Sequence, residues 1–284
     1  MWSELKHILT ANGIRILLTY SLMLIEFFIC ALYPLLIGIA IDSLLANRGY
    51  GFVLFLVSSV MVCILGVMRR MIDTRTFSYI WVTKAKHSII SMIRANIPSS
   101  SIISRGHLQT TYGDFLEYTI PTVVSAAIDV MTAAIILSTM LLYVTTAAIM
   151  GVCLIVYAQV KISAYLMTLD RIRQQCAESC DKAVVERSEK SVIEAYDEVP
   201  RIMVKRSDIE AIGWAFSDLI AVIFSVIVIM ECTSNQHSVG EIITAVAYIR
   251  QIFFKTSFIS FLLSHMRQMK LSEELSQQDI CEAG

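Results

Sequence analysis

"YPLLIGIAID", residues 33–42, sets a proline and a glycine inside an unbroken apolar run and closes the run with an aspartate. A soluble core helix rarely tolerates an interior proline, which lacks an amide donor and collides with the preceding turn. A membrane helix does tolerate it, because neighbouring helices re-satisfy the freed backbone groups. The stretch is therefore read as the end of a membrane span that Asp42 stops at the outer face, with Pro34 and Gly38 marking a kink or a close helix contact.

The rest of the chain has the same character. Of its 284 residues, 56% are hydrophobic and only 17% charged, with mean hydropathy +0.66, whereas a soluble domain carries roughly 25% charged residues. This composition describes an all-α, multi-span membrane protein in contact with the lipid bilayer. The net charge of -1 says little about partners, because the signs are segregated along the chain, and nothing in it points to nucleic acid. No low-complexity linker divides the sequence, so one domain is expected over 1–270, followed by a polar tail at 271–284.

Six segments approach the ~20 apolar residues that a crossing needs. They lie near 16–41, 52–68, 119–142, 147–167, 209–230 and 239–266. The first exceeds one crossing and should tilt or protrude, and with no small-residue cleavage site after it, it is expected to remain as an anchor. Lys and Arg set the orientation: 7 fall in 69–118 and 8 in 168–208, against Arg48 alone in the alternate loops. By the excess of positive charge on the inner side, both termini are expected to be cytoplasmic.

The outer loops "DSLLANRGYG", "YVTT" and "ECTSNQHS" are short, while the inner segments are long and carry charges at helical spacing. In "RRMIDTRTFSYIWVTKAKHSIISMIRAN" the apolar positions Ile72, Phe77, Ile80, Trp81, Ile89, Ile90 and Ile93 describe a helix with one apolar stripe. Two arms of ~20 to 25 residues would project ~30 Å from the membrane. Pro98, Ser99, Ser100, Ser101 and Gly106 mark the tip of the first hairpin. In the second, Pro200 is expected to end the first arm and leave only "RIMVKRSD" before span five.

Taken in order, these pieces resemble the transmembrane domain of exporter-type ABC transporters over nearly the whole chain. "YPLLIGIAID" is similar to that family's first-span ending, and "SVGEIITAVAYIRQIFF" to its sixth-span entry. "LLSHMRQMKLSEELSQQ" is similar to the helix that leads from that span toward the ATPase domain. The resemblance implies six transmembrane helices with long cytoplasmic extensions, in a homodimer that exchanges spans four and five. In "SVGEI", Ser238 also suits a helix cap and Glu241 its first turn, independently of any kinship. The sequence holds no G-x-x-x-x-G-K-[ST] phosphate loop, so it resembles a subgroup with six spans and no motor of its own. A separate ABC ATPase subunit is the alternative source of energy, and the shortened second hairpin argues against it.

Charges inside the spans are the candidate functional residues. Glu26, Asp129, Asp218 and Arg250 fall ~14 to 17 Å from a membrane face, near the midplane of a ~30 Å core. Lys161 and Lys255 lie nearer the inner face, where long side chains snorkel. A midplane charge costs a few kcal/mol or more facing lipid, so these residues should face protein or a water-filled pathway. Three acids against one base favour a cationic solute; the structural alternative pairs Arg250 with Asp218 or Glu26. The small residues of "VVSAAIDVMTAAIILS" favour a buried third span with Asp129 inward, and Tyr248 and Phe254 are candidate wall residues.

Enzyme chemistry finds no support in the sequence. The seven cysteines lack zinc-finger spacing, Cys176 and Cys180 sharing a helix face without further ligands, and the five histidines are scattered. No catalytic residue, cofactor or metal is expected. The function expected is passage of a small solute or ion through a dimer-centred channel or pathway in a bacterial-type inner membrane, with a non-transporting receptor or regulator as the third reading.

Overall fold

The computed structural model describes residues 13–94, 115–185 and 189–257, and every regular element among them is helical. In chain order these are α1 (Gly13–Ala31), α2 (Tyr33–Leu45), α3 (Tyr50–Arg94), a π-helical turn (Phe115–Thr119), α4 (Ile120–Met140), α5 (Leu142–Val185), α6 (Glu189–Ser234) and α7 (Val239–Ser257). Five stretches are long and apolar enough to cross a membrane: Gly13–Ala31, Tyr50–Tyr79, Glu117–Met140, Leu142–Arg173 and Val199–Ser234. α3, α5 and α6 have 45, 44 and 46 residues, so each is ~66 to 69 Å long, more than twice a ~30 Å hydrocarbon core. About half of each therefore extends beyond any single crossing. The expected hairpin tip at Pro98, Ser99, Ser100, Ser101 and Gly106 lies outside the described residues.

The expected first span is two helices. α1 ends at Ala31 and α2 begins at Tyr33, which puts Pro34 in the first turn of a new helix. The missing proline amide costs nothing there, because first-turn amides have no intrahelical acceptor in any case. Asp42 does not stop the helix either, since α2 runs on to Leu45.

Two short turns close the opposite end of the bundle from the long extensions, by the same device. After α2, Asn47 has φ 53°, Arg48 N donates to Ser43 O (2.7 Å) and Asn47 N to Leu44 O (3.0 Å). After α6, Gln236 has φ 55°, His237 N donates to Cys232 O (3.0 Å) and Gln236 N to Thr233 O (3.2 Å). Both are paired 6→1 and 5→2 closures that satisfy the last carbonyls of a helix. The expected "YVTT" loop is helical: only Leu141 departs, with φ -143° and ψ 73°, between α4 and α5.

Pro200 does not end an arm. It lies inside the continuous α6, and the carbonyl it leaves without its helical donor belongs to Tyr196, an exposed residue. The second hairpin thus has a full-length return arm, joined to the first by Arg206–Asp170 at 3.3 Å.

α7 is the hub of the bundle, packing on α2, α4, α5 and α6, whereas α3 packs on α1, α2 and the π-helical turn. The main core joins α4, α5, α6 and α7 through Ala133, Leu137, Ile155, Val228, Ala245, Ile249 and Phe253, all fully buried. Small residues allow the close approach, and Gln159 adds interhelical polar contact by donating to Gly213 O at 3.4 Å. Outward faces are apolar, as on α3 at Val53, Leu56, Val57, Val60 and Ile64. Its Ser58 and Ser59 hydroxyls turn back onto Leu54 O and Phe55 O, both at 2.8 Å, which suits a surface without water to bond.

The two quoted motifs meet in one joint. Gly38 of α2 crosses Gly240 of α7 so closely that a Cβ on Gly38 would lie 2.5 Å from Gly240 O and on top of Thr244 Oγ1. A Cβ on Gly240 would meet Gly38 O and Asp42 Cγ. Asp42 reaches across as a second cap on α7, accepting from Gly240 N (2.8 Å) and Ser238 Oγ (2.5 Å). Ser238 and Glu241 form a reciprocal capping box, Glu241 N to Ser238 Oγ (3.2 Å) and Ser238 N to Glu241 Oε2 (3.0 Å). Asp42→Ala should cost about 1 to 2 kcal/mol by removing this cap, read as a lower melting temperature in detergent; an unchanged value would show that Ser238 and Glu241 hold α7 without it.

Candidate functional site

Below this joint, α1, α4, α6 and α7 line an open cavity of about 560 Å³. Its walls gather six of the eight sequence-predicted residues: Glu26, Asp129, Asp218, Arg250, Phe254 and Lys255. Phe27, Cys30, Ala221, Ala247 and Phe254 supply apolar surface between them. Counted from the short-turn end, Asp129 and Arg250 lie ~17 Å along their helices, and Asp218 and Lys255 ~24 Å. The site therefore reaches from mid-bundle toward the long extensions.

Two residues stand apart. Tyr248 is fully buried, and its hydroxyl donates to Ala31 O at 3.2 Å, at the break between α1 and α2. Together with Thr244 Oγ1, which donates to Pro34 O at 3.1 Å, it supplies side-chain donors where the helix is interrupted. Lys161 projects from α5 with its ammonium 5.7 Å from the Tyr157 ring centre, a snorkelling arrangement away from the cavity.

The ion pairs differ from the expected ones. Asp129, 5% exposed, bonds Lys255 Nζ at 2.9 Å, and Ser125 Oγ lies 3.4 Å from both. Glu26 pairs with Arg69, whose guanidinium also bonds Asp73 at 2.8 Å and lies 5.5 Å from the Phe27 ring centre. By sequence Arg69 falls in the hydrophilic segment after span two, ~29 Å from the start of α3. Its partner Glu26 thus meets α3 just beyond the expected second span, 52–68. Arg69 is the residue that sequence reasoning missed; its signal is Asp73 four residues on, one turn along the same face.

Asp218 and Arg250 are exposed to the cavity and have no ion-pair partner among the described residues. With Arg69 and Lys255 counted beside Arg250, and Asp73 beside Glu26, Asp129 and Asp218, four acids face three bases. The expected negative surplus of two is thereby reduced to one.

These features define a class: a helical membrane protein with span-grade helices that run on into long extensions and hold a charged cavity between them. A family model for the ABC transporter transmembrane region matches residues 5–240, and the chain belongs to that family. No curated protein matches it.

Proposed function

We propose that the protein is the membrane-embedded part of a transport system, moving a small solute through the cavity between α1, α4, α6 and α7. The observation that carries this reading is a cavity of about 560 Å³ lined by charge inside an otherwise apolar bundle, within the 300 to 1,000 Å³ typical of small-molecule sites. Charges are costly at such depth and mark solute or ion pathways by default. In the working form two copies pair, α7 serves as the sixth span, and both termini face the cytoplasm of a bacterial-type inner membrane. Opening and closing of the two bundles around the cavity moves the solute, with bias from its gradient or a partner, and the chain itself performs no covalent chemistry.

A second reading has support from the continuity of α6 through Pro200. Two full-length arms joined by Arg206–Asp170 suit docking of a separate ATPase subunit, which would supply the phosphate loop that this sequence lacks. Stimulation of flux by ATP only after an ATPase subunit is added would select this version.

Cys30 tests the pathway, because it lines the cavity. With the other cysteines replaced, a small thiol reagent attached to Cys30 should slow tracer flux into proteoliposomes at least tenfold. Full labelling without any change in flux would overturn the pathway, and ligand binding without flux in unlabelled protein would indicate a receptor.

A further inference from the structure

We infer that the solute is a zwitterion with an apolar side group, of the amino-acid type, bound with its carboxylate on Arg250 and its ammonium on Asp218. This rests on the cavity being the transport site. Each of the other charges around that cavity has a protein partner: Glu26 has Arg69 and Asp129 has Lys255. Asp218 on α6 and Arg250 on α7 are left, of opposite sign, exposed in the same cavity and without an ion pair among the described residues. Counted at 1.5 Å per residue they differ by about 7.5 Å in height along the bundle, and each can make a charge-assisted hydrogen bond of ~2.8 Å to a solute in the cavity that both line.

A lone cation would satisfy Asp218 and face Arg250; a lone anion would do the reverse. A zwitterion meets both charges and enters without net charge, which lessens the cost of carrying it into the bundle. Gln251, in the same wall, has a buried Oε1 that accepts no hydrogen bond from the described residues. Phe27 and Phe254 give an apolar or aromatic side group a surface on which to rest.

Phenylalanine, phenethylamine and 3-phenylpropanoate form a matched probe set that differs only in which charges are present. With the full chain in proteoliposomes, tracer phenylalanine uptake should be saturable, and the two single-charge analogues should compete ten- to a hundredfold less well, the usual worth of one charged hydrogen bond. Asp218→Asn should remove the preference over 3-phenylpropanoate, and Arg250→Gln the preference over phenethylamine. Phenethylamine binding as well as phenylalanine would overturn the inference and leave a pathway for cations. Binding of none of the three would also overturn it; if Cys30 labelling still blocks tracer ion flux, the transport reading survives, and if no flux exists both fall together.

Discussion

Lys255→Met should destabilise the protein by about 3 kcal/mol, because it strands Asp129. Asp129 is 5% exposed, and among the described residues the Ser125 hydroxyl, at 3.4 Å, would remain as its one hydrogen-bond partner. Removing one partner of a buried pair typically costs 3 to 5 kcal/mol; the low end applies because Lys255 borders the cavity and Asp129 has some access to its water. Asp129→Asn should cost less, about 1 kcal/mol, since the long lysine chain reaches the cavity when released. The double variant Asp129→Asn with Lys255→Met should regain about 2 kcal/mol relative to Lys255→Met alone. The cycle is read from unfolding in mixed detergent, with the two changes expected to be strongly non-additive. Additive changes would show that the pair is not coupled in the folded protein.

Gly38→Ala should be at least as disruptive, although it adds one methyl group. Its Cβ would fall on Thr244 Oγ1 and 2.5 Å from the backbone oxygen of Gly240. A side chain could rotate away, but a helix backbone cannot, so α2 and α7 must separate. Overpacking of this kind costs typically 1 to 3 kcal/mol, and separation also breaks the Asp42 cap and the Thr244–Pro34 bond, for a total of about 3 to 4 kcal/mol. Gly240→Ala meets the same obstacle from the other side, through Gly38 O. Once either change has opened the joint, the second should add little. A melting temperature for Gly38→Ala within a degree of the parent would show that the helices do not cross this closely.

The helical membrane character and the long extensions are legible in the alternation of apolar and charged segments along the chain. Lipid demands helices whose backbone groups are satisfied internally, so a span must appear as a contiguous run in the sequence. Local rules also carry the α7 cap, because Ser238 and Glu241 are three residues apart. A reading that rests on one residue's general habit falls short. Pro34 begins a helix and Pro200 is carried within one, since proline's effect depends on its position in the helix and on whether solvent reaches the carbonyl it leaves open.

The charges divide in the same way. That Glu26, Asp129, Asp218, Arg250 and Lys255 belong inside the bundle follows from their place in apolar runs. Their pairing does not, because Asp129 and Lys255 are joined only where α4 meets α7, and Glu26 and Arg69 only where α1 meets α3. By itself the sequence determined which segments are helices fit for lipid, because backbone hydrogen bonding and apolar transfer act on contiguous residues. Only the tertiary structure decided that Asp42 and Gly38 lock onto α7 and that Asp218 and Arg250 are left without an ion pair among the described residues, because ion pairing and close approach depend on distances between helices far apart in the chain.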